Sequence, residues 1–128
     1  MLLIGSAGAA AGLAEQVACR VTYGGETLLL RAPPVANALA VYDAAPVAIG
    51  SYFLFRIVFQ RNPASEAAIN LYTYADREQG PVIIHQARYT YPPRRQRDHG
   101  FTGLHWVYEP VRDGELQYWC ELESGRAP

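Results

Sequence analysis

The chain has 128 residues, half of them hydrophobic and 18% charged, with a formal net charge of −1. That length fits one domain with a single core, and that balance excludes a disordered chain. The near-neutral charge gives no bulk attraction to nucleic acid or to an anionic membrane surface. All eleven basic residues are arginine, which we read as composition bias rather than selection for anion contacts.

Residues 1–14, MLLIGSAGAAAGLA, are uncharged, apolar and small. They read as the remnant of a signal peptide, with Gly12 and Ala14 supplying the small residues before a cut ahead of Glu15. The run is too short to span a bilayer, and no later stretch is apolar enough to do so. Ala18-Cys19 looks like the end of a lipid-attachment box, but Gln16 stands where such boxes carry a Leu-like residue. Residues 15–128 are expected to form a single β domain.

Val17 to Tyr23 alternates Val17, Cys19, Val21 and Tyr23 with Ala18, Arg20 and Thr22, the period of a half-buried strand. Gly24-Gly25 forms a two-residue hairpin turn, and Glu26 to Arg31 returns as the second strand. Ala32 to Gly50 holds Pro33, Pro34 and Pro46 and no clean period. It reads as an extended crossover with one helical turn at Asn37–Tyr42. Its length suggests a functional loop or a missed short element.

Ser51 to Arg61 has the strongest strand pattern, with Phe53, Phe55, Ile57 and Phe59 on the core side. Ala67 to Ala75 follows, with Ile69 and Leu71 inward and Tyr72 and Tyr74 outward. Val82 to Tyr91 is another strand, ended by Pro92-Pro93. A polar loop, Arg94 to Gly100, leads to a strand over Phe101 to Glu109 with Leu104, Trp106 and Tyr108 on one face. The last strand, Glu115 to Glu123, places Leu116, Tyr118, Cys120 and Leu122 inward and Trp119 outward.

Seven short strands with turn signals and no amphipathic helix predict an all-β fold, an antiparallel sandwich or small barrel. Cys19 and Cys120 both point inward from the first and last strands, so a disulfide is expected to clamp the ends of the fold. Such a bond suits an oxidising compartment, periplasmic or secreted.

Little in the sequence points to catalysis. Ser6, Ser51, Ser65 and Ser124 lie in no nucleophile-elbow context, and Glu121 and Glu123 are neighbours on one face rather than opposed across a cleft. His85, His99 and His105 match no metal-ligand spacing, and His85 reads as a hydrogen-bonded core residue, whereas His105 reads as exposed. No metal and no cofactor is expected.

The binding candidates are the loop residues Arg94, Arg95, Arg97 and His99, together with the outward aromatics Tyr72, Tyr74 and Trp119. Guanidinium forks suit anions, and exposed rings suit protein or glycan contacts. Tyr89, Tyr91, Phe101 and Trp106 flank the loop and could add a flat wall. The expectation is an exported, non-enzymatic binding domain for a protein or glycan of the cell envelope, with no nucleic-acid partner. The alternatives are a small barrel holding an apolar or anionic small molecule under an Ala32–Gly50 lid, and an enzyme of unrecognised type.

Overall fold

The computed structural model describes residues 14–96 and 98–125. The stretch expected to be a signal remnant lies outside these residues up to position 13. Ala14 is already the first residue of a strand.

The strands are β1 (Ala14–Tyr23), β2 (Glu26–Ala32), β3 (Val47–Ile49), β4 (Phe53–Gln60), β5 (Ala68–Arg77), β6 (Gly80–Thr90), β7 (His105–Glu109) and β8 (Gly114–Gly125). They form two four-stranded antiparallel sheets, ordered β2-β1-β8-β7 and β3-β4-β5-β6. The fold is the expected all-β sandwich. Among the described residues no helix is long and apolar enough to cross a membrane.

The alternation of each strand explains the core. Val17, Cys19 and Val21 of β1 and Leu116, Tyr118 and Cys120 of β8 meet Phe53, Phe55, Ile57 and Phe59 of β4 and Ile69 and Leu71 of β5. Their polar alternates face out, as period-2 strands in a two-layer fold require. Cys19 and Cys120 are directly opposed in the β1–β8 ladder, with Cα atoms 4.0 Å apart, and they are bonded. The disulfide therefore joins the first and last strands within one sheet.

Two connections close the sandwich. The segment from Pro33 to Pro46 crosses from β2 to β3. Val35 N–H donates to the Phe59 carbonyl at 2.8 Å, and Arg56 donates to the carbonyls of Ala44 (2.7 Å) and Val41 (3.0 Å). The expected helical turn is there as a 3-10 helix over Ala38–Asp43, capped by the Asn37 side chain, which accepts from Leu39 N–H. The element missed in this segment is β3, three residues long.

The second connection, from Tyr91 to Leu104, fills the opposite side. The strand expected from Phe101 begins only at His105, because Phe101 and Thr102 are buried as a plug instead. Phe101 stands edge-on to Tyr89 at 5.2 Å, its N–H donates to the Cys120 carbonyl, and Thr102 Oγ1 accepts from Cys120 N–H at 2.9 Å.

Ion pairs hold both ends. Glu109 is 1% exposed and accepts from Arg77 (2.8 Å) and from the backbone N–H groups of Val111 and Arg112. Desolvation favours the neutral acid, but these donors together outweigh it and hold the carboxyl below its ordinary value. At the other end Tyr91 donates to Glu15, which also faces Arg61.

Candidate functional site

The outer face of the β2-β1-β8-β7 sheet is assembled by cross-strand register. Leu29, Arg20 and Trp119 lie side by side, and Thr27, Thr22, Gln117 and Trp106 form the next row. Arg20 sits over the Trp119 ring at 4.6 Å and donates to Glu121 at 2.7 Å. His99 approaches the same indole edge-on at 5.5 Å. Arg31 donates to Glu123 at 2.9 Å. The arginines of this face are thus neutralised by glutamates of β8.

The edge strand β7 carries two exposed rings, and Tyr42 of the crossover is more exposed still, at 85%. Trp106 is 59% exposed and Tyr108 53%, with Leu104 beside them. The sequence places these three on one side, and the structure turns that side to solvent. Their polar alternates face inward: His105 stacks on Tyr118 at 5.0 Å, and Glu109 takes the buried contacts described above. His105 is therefore half-buried, not exposed, which corrects the sequence expectation. The missed signal is the inverted pattern of this strand, polar side in and aromatic side out.

The candidates singled out in the sequence do not form one surface. His99 and Trp119 meet. Arg94 and Arg95 are exposed, and Arg95 helps line a cavity of about 190 Å³ with Gly100, Phe101 and Glu121. Arg97 lies outside the described residues. Tyr72 and Tyr74 belong to β5 and stack on each other at 6.3 Å, with Arg56 over Tyr72 at 5.3 Å. They occupy the outer face of the other sheet, across the core from Trp119. The flanking ring Phe101 is buried, while Tyr89 and Tyr91 are half-buried.

Two further features could hold something. A cavity of about 350 Å³ opens between β2 and the crossover, lined by Leu30, Pro33, Val35, Ala44, Val47 and Phe55 among others. On the opposite side, His85 Nε2 and the Tyr118 hydroxyl are 2.7 Å apart, and the His85 and His105 rings are 5.4 Å apart. Burial pushes the Tyr118 hydroxyl well above the usual phenol range. Burial, then the neighbouring His105, holds His85 below the ordinary histidine value. Among the described residues no three His, Cys, Asp or Glu side chains group as a metal site needs.

The lowered His85 value has a pH consequence. The unfolded chain takes up this proton more readily than the folded one. The His85 contribution to stability is therefore present above about pH 6.5 and is lost as pH falls toward the folded value. We expect the melting temperature of His85→Gln to fall less steeply than that of the wild type on acidification from about pH 7 to about pH 5. Parallel acid limbs for the two proteins would contradict this assignment.

Comparison with family models, with curated proteins and with solved structures gives no match to this chain.

Proposed function

We propose that the chain is an exported, periplasmic or secreted, non-enzymatic binding domain, and that it meets a partner protein of the cell envelope through the outer face of the β2-β1-β8-β7 sheet. The observation that carries this reading is the stripe of Trp106, Tyr108 and Leu104 turned outward from edge strand β7 beside Trp119. Large rings cost little conformational entropy when they are immobilised, and Trp, Tyr and Arg dominate protein hot spots. The paired charges of Arg20 and Arg31 favour a protein surface over a polyanion. The Cys19–Cys120 bond supports export, since such bonds persist in oxidising compartments.

The test is site-specific photocrosslinking in the producing cell, from position 106 and from position 88 on the other outer face. A discrete protein adduct from position 106 alone is expected. The Trp106→Ala variant should bind the captured partner more weakly by about thirtyfold, the effect of a hot-spot loss of about 2 kcal/mol. Absence of any adduct, or equal adducts from both positions, counts against the reading. Binding of glycans but not of protein would assign the face to the other partner class.

A second reading is supported by the 350 Å³ cavity, which lies at the lower end of the range for small-molecule sites. In it the Ala32–Gly50 crossover lids an apolar ligand. Filling the cavity through Val47→Trp would abolish binding in this reading and leave the outer-face partner unaffected.

A further inference from the structure

A sandwich has four edge strands, and three of them here are guarded against pairing with another chain. β3 has only three residues. β7 has five. β6 carries Pro81 and Arg88 and faces a register irregularity at Thr73/Tyr74 in β5. Short strands, proline, charge and bulges are the devices that blunt an edge.

β2 has none of these within Thr27-Leu28-Leu29-Leu30. Its ladder with β1 runs without interruption from Tyr23↔Glu26 to Val17↔Ala32. The two cations nearest to it, Arg31 on β2 and Arg20 opposite Leu29 on β1, are held by Glu123 and Glu121 of the same sheet. Leu29 is 44% exposed. Among the described residues β1 is its sole strand neighbour.

The register also says which backbone groups are free. Tyr23 and Glu26 flank a two-residue hairpin turn, and such a closing pair exchanges both hydrogen bonds. Alternation then binds Leu28, Leu30 and Ala32 to β1 and points the N–H and C=O of Thr27, Leu29 and Arg31 outward. Two observations agree with this phase. The hydroxyls of Thr22 and Thr27 are 2.7 Å apart, as in a close non-bonded pair. In the next ladder, Cys120 turns its N–H and C=O away from Cys19, toward Thr102 and Phe101.

We propose that β2 pairs antiparallel with β2 of a second copy of this chain, about a two-fold axis through Leu29, making one continuous eight-stranded sheet. The three free residues are self-complementary in that arrangement. Leu29 of each copy faces Leu29 of the other, and Thr27 faces Arg31. An isologous contact requires this match. Each copy's exposed Leu29 gains an apolar neighbour at the axis, and the outward backbone groups of both edges find partners. This inference does not depend on what the outer face binds.

The test combines sedimentation with cysteine crosslinking of the full chain. The wild type is expected to sediment as a concentration-dependent dimer. Leu29→Lys, which sets two ammonium groups against each other at the axis, is expected to sediment as a monomer with an unchanged far-UV spectrum. Leu29→Cys is expected to form a covalent dimer on oxidation, since the two Cα atoms lie about 5.5 Å apart in a bonded pair. Thr27→Cys is expected to stay uncrosslinked, its two copies being roughly 13 Å apart along the strands. A wild type that stays monomeric at every concentration, a dimer that survives Leu29→Lys, or equal crosslinking at both positions overturns the proposal. The crosslinking pair decides the matter if the lysine variant fails to fold.

Discussion

Replacing Cys120 with alanine is expected to lower stability by about 4–5 kcal/mol under oxidising conditions, a fall in Tm of roughly 10–20 °C for a domain of this size. The bond joins residues 101 apart in sequence, so it closes nearly the whole described chain. Its effect is mainly on the unfolded state, which it holds in a smaller set of conformations. The native contacts around it do not depend on it. β1 and β8 are paired from Ala14↔Gly125 to Thr22↔Gln117, and a small alanine side chain at position 120 still fits between the pairs Val21↔Tyr118 and Val17↔Leu122.

This distinction can be measured. The β1–β8 ladder has the greatest sequence separation in the fold, and closing that loop is slow and entropically costly in a reduced chain. The loss in Cys120→Ala should therefore appear mostly as slower refolding, with the unfolding rate little changed. Chevron kinetics of the variant and of reduced wild type should coincide. Equal melting temperatures for oxidised wild type and Cys120→Ala would show that the bond closes no useful loop.

The disulfide and the core were readable because both rest on strand alternation, which is local. Cys19 and Cys120 each occupy the apolar phase of a clean period-2 run, as do Phe53, Phe55, Ile57 and Phe59. The same alternation tells which residues share one side of a strand. It does not tell which sheet the strand joins. Tyr72, Tyr74 and Trp119 were each recognisable as outward, yet they sit on opposite outer faces, because β5 and β8 were sorted into different layers by contacts far apart in sequence.

Long-range partners also decide β7. Glu109 is buried because Arg77, 32 residues earlier, meets it, and His105 because it stacks on Tyr118 from β8. With those partners invisible locally, the aromatic side of β7 gave no sign of being the solvent side. β3 was hidden for a simpler reason. Three residues after Pro46 are too few to show a period, and its pairing with Phe53–Phe55 supplies the evidence that its own sequence lacks.

Gly100→Ala is expected to cost about 3–5 kcal/mol and to release the loop that carries His99. Gly100 has φ +66°, a region that costs an alanine roughly 1–2 kcal/mol by itself. An added Cβ would stand 2.1 Å from the Cys120 carbonyl oxygen and 2.8 Å from its carbon. That carbonyl cannot retreat, because Cys120 is fixed in β8 and bonded to Cys19. The loop must lift instead. Lifting breaks the Phe101 N–H bond to the same carbonyl and the Thr102 Oγ1 contact with Cys120 N–H. It also draws Phe101, 3% exposed, away from Tyr89. The control is Gly103, whose φ is +75° but whose Cβ would meet nothing within 4 Å. Gly103→Ala should pay the backbone term alone, about 1–2 kcal/mol. Hydrogen exchange at the Phe101 and Cys120 amides should speed up in Gly100→Ala and stay slow in Gly103→Ala. Equal melting temperatures for the two variants would mean that the clash is relieved without moving the loop, and that the position of His99 against Trp119 does not depend on this glycine.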